Sequence, residues 1–312
     1  IERPLSCAGN DIPGVMLAAS VRDYLVNDGV SVGDRTVVVT NNDDAYRTAI
    51  ALTEAGLTVP AILDARVLPQ DSALMTRAKD LGIRVMMGHA VARVTGGKRV
   101  TGVEVCSQAG EGAVLETFPC DAVAMSGGWS PVVHLWSHCG GKLTWDDAQA
   151  HFRPDPERAP TGHDGKPFVV TAGCASGPLG LSEVMQDAAA AGARAAEAAG
   201  RPATKPAEVA TSELVEAPME AVWLMPAKAD IKLRMKTWLD YQNDVKVSDV
   251  QLAAREGYES VEHTKRYTTL GMATDQGKLS NINGLAILAD TLGAEIPQVG
   301  TTTVRPPSHP LS

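Results

Sequence analysis

The sequence predicts an α/β fold followed by a small all-α domain, on three observations. Short β-branched runs alternate with amphipathic stretches between residues 11 and 87, in the pattern of βαβ units. Glycine-punctuated alternation then marks an antiparallel insertion at about 90–118, and from residue 221 onward the apolar spacing is helical. The 312 residues suffice for about two domains at ~100–200 residues each. We place the α/β domain over 1–200, a linker over 201–220, the helical domain over 221–293 and a tail over 294–312.

Taken in order, the Asp11-Ile-Pro-Gly14 turn leads into an amphipathic stretch that runs to about Val26. Thr36 to Thr40 reads as a buried strand, and a helix capped by Asp43 or Asp44 follows until Gly56 stops it. Val59 to Leu63 is a second strand, Asp71 to Leu81 a helix and Arg84 to Met87 a third strand. After the antiparallel meander, Asp121 to Met125 is again a buried strand, halted by Ser126-Gly-Gly128. Phe168 to Ala172 reads as another, followed by the glycine-bounded turn Gly173-Cys-Ala-Ser-Gly177 and an alanine-rich helix over 181–199. Residues 200–220 have linker composition, and helices are expected at about 231–243, 247–256, 261–270 and 282–292, with Ser248 and Ser260 as caps for two of them.

Lys and Arg number 28 against 37 Asp and Glu, a net charge of −9, which argues against a nucleic-acid or anionic-membrane partner. No apolar run approaches the ~20 residues of a bilayer span. Five scattered cysteines without a CxxC pair indicate neither a disulfide framework nor a metal cluster, so a reducing cytoplasm is expected. Ile1-Glu-Arg-Pro-Leu5 reads like the interior of a larger domain, and the proline-rich 301–310 segment like an interdomain linker.

A nucleotide-binding strand-to-helix turn needs glycines so that the backbone can approach a pyrophosphate. The turn in that place, Thr40-Asn-Asn-Asp-Asp-Ala-Tyr46, has none and carries two carboxylates that would repel one, so the unit reads as structural and Asp64 as a surface carboxylate. Ser126-Gly127-Gly128-Trp129 and Gly173-Cys174-Ala175-Ser176-Gly177 are the stronger candidates, because each follows an expected buried strand at the end where open α/β sheets take ligands. Either could equally be a plain structural turn. His134 and His138 stand one helical turn apart, but no zincin-like carboxylate follows and no metal is expected. Cys174 has no visible partner base, and no catalytic residue is assigned. Around Gly271 and Gly277, Arg266, Thr274, Gln276 and Lys278 offer cations, a hydroxyl and an amide suited to an anion, against the alternative of a solvated loop.

Several stretches together carry a resemblance. They are Glu2-Arg-Pro-Leu5, Asn10-Asp-Ile-Pro-Gly-Val-Met16, Thr40-Asn-Asn-Asp-Asp-Ala-Tyr-Arg47, Ser126-Gly-Gly-Trp129 with His134-Leu135, Tyr241-Gln-Asn-Asp244, and the long run from Arg255 to Lys278. Across essentially the whole chain, the sequence resembles the central part of the alpha subunits of heterotetrameric sarcosine oxidase. The resemblance implies a partial glutathione-reductase-like fold of the two-dinucleotide-binding type, followed by a helical domain similar to [2Fe-2S] domains. No cysteine lies beyond Cys174, so cluster ligation there is excluded.

The resemblance further implies a complex with beta, gamma and delta subunits that oxidises sarcosine to glycine, passes the one-carbon unit to tetrahydrofolate and makes hydrogen peroxide. FAD and the amine site would lie on the partner chain and FMN at the interface. NAD would be held in the alpha subunit, with Ser126, Gly127, Gly128, Trp129 and the 173–177 turn on its pocket and Arg266, Thr274, Gln276 and Lys278 on the FMN side. The glycine-rich N-terminal βαβ and the folate domain of the family have no counterpart here, so this chain alone is expected to be inactive and to bind NAD weakly or not at all. The alternative is a non-catalytic scaffold of a related dehydrogenase acting on dimethylglycine, proline or opines.

Overall fold

A computed structural model describes residues 1–68, 71–203, 210–212, 215–304 and 306. Parts of the expected linker and of the expected tail lie outside these residues. The chain forms two compact units, one of residues 2–128 with 215–302 and one of Ile1 with 129–214 and 303–312.

The larger unit opens with a short strand, β1 (Val15–Leu17), and α1 (Ala18–Asp28), which Gly29 ends in the left-handed conformation. Next come β2 (Thr36–Thr40), α2 (Asp44–Glu54), β3 (Ile62–Asp64), α3 (Ala73–Asp80) and β4 (Val85–Met87). The antiparallel sheet follows as β5 (His89–Gly96), β6 (Val100–Ser107) and β7 (Glu116–Pro119), and β8 (Ala122–Ser126) closes the series. Strands β1-β8-β2-β3-β4, in that order, form one sheet in which every pair is parallel. The first strand hides in the sequence: Val15-Met-Leu17 runs straight into α1, and only pairing with Val123 to Met125 makes it extended.

Period-2 alternation sends successive side chains of β2 to opposite faces. Val37 and Val39 join Val91, Val94 and Val103 of the antiparallel sheet in one core, while Val38 joins Tyr46, Leu52 and Met75 of the helices in another. A sheet covered on both faces explains why all five residues of β2 are buried and why the run Thr-Val-Val-Val-Thr shows no polar face.

The second unit holds a short helix, α4 (His134–His138), a hairpin of β9 (Leu143–Asp146) and β10 (His151–Pro154), and the long helix α5 (Leu181–Ala198). Phe168 to Ala172, expected as a buried strand, is irregular, with Phe168 and Val170 exposed. Its β-branched residues carry strand propensity, but no described strand pairs with them, and propensity without a partner does not build a ladder.

Residues 215–229 lie in irregular conformation in the larger unit, and a helical region follows them. Its expected first helix, 231–243, shrinks to one turn, α6 (Ile231–Arg234), and gives way to an antiparallel hairpin of β11 (Trp238–Asp240) and β12 (Val245–Lys246). The cause is local: the Asp240 carboxylate accepts from the amides of Gln242 and Asn243, and Asp244 takes a positive φ of 55°. Three helices match their expected positions within one or two residues, namely α7 (Val247–Arg255), α8 (Val261–Thr268) and α9 (Asn281–Leu292). Ser260 caps α8 through the amide of His263, whereas α7 begins at Lys246, with Asp249 turned back onto its amide in place of the expected Ser248 cap. A last helical turn, α10 (Ile296–Val299), stands in what reads as tail.

Candidate functional site

Strand β8 delivers Ser126 to the carboxyl edge of the parallel sheet with no exposure to solvent. Its hydroxyl accepts from the Asn42 side-chain amide at 3.1 Å. The two glycines that follow are explained by the chain segment beside them. The Gly127 amide donates to the Arg3 carbonyl while the Arg3 amide donates to the Gly128 carbonyl, and a Cβ on Gly127 would lie 2.9 Å from the Pro4 carbonyl oxygen. Gly128, at φ +90°, would place a Cβ 2.5 Å from the Arg3 guanidinium. These positions need glycine because residues 3–4 press against them. Arg3 itself is buried, lies over the Trp223 ring at 5.7 Å, and burial lowers its pKa to about 10.

Beside this edge sits the turn between β2 and α2. Asp43, Asp64 and Arg66 are all fully buried, so Asp64 is no surface carboxylate. The Arg66 guanidinium pairs with Asp43 at 2.7 Å and with Asp64 at 2.6 Å, and the Tyr46 hydroxyl donates to Asp64 at 2.7 Å. Burial alone would depress the Arg66 pKa, but its hydrogen bonds and charge pairing with Asp64 and Asp43 outweigh that and hold it above its ordinary value. Burial, and then the Asp64 charge, push the Tyr46 phenol upward. Sequence reasoning missed Arg66 and Tyr46; the signal available was an Asp-x-Arg step at a strand end facing two acids across the sheet.

Glu2 was missed as well. It is 4% exposed, and its carboxylate accepts from the Ala19 amide in the first turn of α1 at 2.9 Å. Burial raises its pKa to about 7 against the lowering effect of that amide.

The remaining residues of the two glycine-rich candidates belong to the other unit. Trp129 is half-buried, and its carbonyl oxygen stands 3.2 Å from Nδ1 of the fully buried His151. Gly173 to Ser176 form a 3₁₀ turn with Gly173 at φ +59° and Gly177 at φ +122°. Asp187 of α5 accepts from the Gly173 amide at 2.7 Å and ties the turn to the helix. Cys174 is exposed, and Ala175 and Ser176 are half-buried.

Arg266, Thr274, Gln276 and Lys278 fall on α8 and on the loop between α8 and α9. Arg266 pairs with Glu262 one turn earlier at 3.5 Å. The Thr274 hydroxyl donates to Gln242 at 2.8 Å, Gln276 adopts φ +54°, and the Lys278 ammonium donates to the Asp275 carbonyl at 3.3 Å. Asp275 also accepts from the amides of Gly277 and Leu279, so the loop is a built turn with Thr274, Gln276 and Lys278 on it. No group of three or more His, Cys, Asp or Glu among the described residues is arranged to hold a metal ion, and no described helix is long and apolar enough to cross a membrane.

Comparison with known proteins agrees with this architecture. Residues 234–312 match the family described as the sarcosine oxidase A3 domain. The sarcosine oxidase subunit alpha of Rhizobium meliloti (strain 1021) is 39% identical over 313 positions, covering 100% of this chain and 29% of the relative. That of Corynebacterium sp. (strain P-1) is 38% identical over 319 positions, covering 100% and 32%. The crystal structure of L-proline dehydrogenase from P. horikoshii superposes with a TM-score of 0.68 at 18% identity over 100% of this chain and 56% of that one, a likeness of fold alone. The chain spans about three-tenths of the length of the alpha subunits it matches. Along its whole length, the chain is similar in sequence to part of the sarcosine oxidase alpha subunits.

Proposed function

We propose that this chain is a part of the alpha subunit of a cytoplasmic multi-subunit sarcosine oxidase, which oxidises sarcosine to glycine, transfers the one-carbon unit to tetrahydrofolate and reduces oxygen to hydrogen peroxide. The observation that carries this reading is 38–39% identity to sarcosine oxidase alpha subunits over the full chain. Amine oxidation at FAD belongs to the beta subunit, FMN lies toward the subunit interface, and gamma and delta complete the complex.

Within this chain, Trp129 and the Gly173–Gly177 turn are the residues we assign to NAD. The tether from Asp187 and the two positive-φ glycines support a main-chain role for that turn, since they fix the backbone ahead of α5 while leaving it partly open. Glu183 in the first turn of α5 adds no attraction for a phosphate, so the contact would rest on the main chain. Ser126, Gly127 and Gly128 act one step back, holding residues 3–4 in place. Arg266, Thr274, Gln276 and Lys278 are assigned to the FMN-side interface, supported by three of the four sharing one preformed loop.

The test is to express the full-length alpha subunit with its partner genes and follow sarcosine-dependent oxygen uptake, flavin absorbance and bound NAD. Turnover with sarcosine and a flavin spectrum in the purified complex are expected. A complex that oxidises only dimethylglycine, proline or an opine, or that carries no flavin or nucleotide, would replace this reading with that of a related dehydrogenase or a scaffold.

A further inference from the structure

Open parallel sheets bind dinucleotides outside the carboxyl ends of their strands, with the pyrophosphate against the turn after one strand and an acid at the end of the next holding the ribose. In this sheet those places are the β2–α2 turn and Asp64, and both are already occupied by the chain itself. Asp43 takes Arg66 on one oxygen and the Ala217 amide on the other, at 2.7 and 2.8 Å. Both oxygens of Asp64 are engaged by Arg66, and one also by Tyr46.

Residues 217–220 complete the arrangement with contacts of the kind made to a bound peptide. The Pro218 carbonyl accepts from Arg66 at 3.2 Å. Asn41 pairs with Glu220 in both directions: its side-chain amide donates to the Glu220 carbonyl at 2.7 Å, and its carbonyl accepts from the Glu220 amide at 3.3 Å. The Glu220 carboxylate in turn receives the amides of Val67 and Leu68 just past β3, both at 3.0 Å. Main-chain pairing supplies affinity, while the carboxylate on two amides and a proline where no donor is needed supply selectivity. A pyrophosphate in the same place would face Asp43 and find no glycine turn.

We infer that the carboxyl-edge crevice of the parallel sheet is a clasp for the chain's own segment 217–220, held where related sheets take a dinucleotide, so that any nucleotide bound by this chain is bound elsewhere. The inference deepens the proposed function by excluding this sheet from the NAD site, and it rests on that reading only for the identity of the nucleotide. The clasp fixes the chain where it enters the helical region, so opening it should release residues 215–220 without creating a nucleotide site.

Hydrogen exchange on the full-length protein tests this with and without 1 mM NAD, a concentration of about millimolar order chosen to detect weak binding. In the wild type, the amides of Val67, Leu68, Ala217 and Glu220 are expected to exchange slowly and to be unchanged by NAD. Glu220→Ala should speed exchange at all four by at least about tenfold and expose residues 215–220 to limited proteolysis, with NAD stoichiometry by calorimetry unaltered. NAD-dependent protection of Val67, Leu68 or Ala217 in the wild type, or extra NAD bound by the variant, would overturn the inference, as would unchanged Ala217 exchange in Glu220→Ala. Absence of NAD binding altogether would instead count against the proposed function, since the exchange pattern without NAD reads the clasp alone.

Discussion

Arg66 stands between two carboxylates with all three groups out of reach of water, and that placement sets what its removal does. Replacing it with Met keeps the volume but leaves Asp43 and Asp64 buried without their cation, a situation that costs about 3–5 kcal/mol. Urea denaturation of Arg66→Met should show a loss of that size, and a loss under about 1 kcal/mol would mean that the carboxylates are reached by solvent. Glu2 gives a pH signature of opposite origin. Its unfolded value is 4.5 and its folded value about 7, so the native state holds a proton that the unfolded chain has released. Stability from this group is therefore present below about pH 4.5, declines between 4.5 and 7, and is lost by about 3 kcal/mol above. Glu2→Gln keeps an acceptor for the Ala19 amide without the charge. It should be more stable than the wild type at pH 8, equal to it near pH 4, and flatter between; parallel pH profiles for the two proteins would contradict the burial argument.

Asp240 shows how one side chain decides an element. It accepts from Gln242 and Asn243, which turns the hairpin of β11 and β12, and from Gly271 at 2.8 Å, which ties that hairpin to the start of the loop bearing Thr274, Gln276 and Lys278. Asp240→Ala leaves the buried Gly271 amide without its acceptor, at about 1–3 kcal/mol, and removes the more exposed bonds from Gln242 and Asn243 at smaller cost. Amide exchange in both 241–246 and 271–280 should accelerate together while α9 stays protected; acceleration confined to the hairpin would show that the two elements are independent. The same residue explains why periodicity misled over 231–243. The apolar positions there fit a helix, but Asp240 in Asp-Tyr-Gln-Asn-Asp244 bonds the amides of its own turn instead.

Across the molecule, the chain passes from one compact unit to the other and back, with 129–214 set between the two stretches of the larger unit. A prediction at this scale concerns assembly. If the loop after α8 faces the flavin side of a partner, Arg266→Ala combined with Lys278→Glu should reduce FMN retention in the purified complex. The stability of the alpha subunit should meanwhile move by only about 0.5 kcal/mol, as for surface substitutions. Full FMN occupancy in the double variant would return these residues to the solvated-loop reading, and the Arg266–Glu262 pair one helical turn apart would then be all that Arg266 does.

The sequence by itself determined the alternation of strands and helices over 36–87, the antiparallel insertion, the buried β8, the long α5 and the three helices α7 to α9, because each is written in local periodicity and local caps. It also carries the likeness to the sarcosine oxidase alpha subunits, since the similarity runs along the whole chain. Tertiary structure alone decided the rest. Val15 to Leu17 became a strand because β8 offered it a ladder, and Phe168 to Ala172 did not because no described strand does. The two carboxylates of the glycine-less turn read from sequence as a repulsive surface. In the fold, Arg66, Tyr46 and the main chain of 217–220, up to 179 residues away in sequence, converge on Asp43, Asp64 and Asn41 and turn that surface into a sealed one. Charge burial is a property of what surrounds a group, and those surroundings are assembled from segments whose proximity no local pattern encodes.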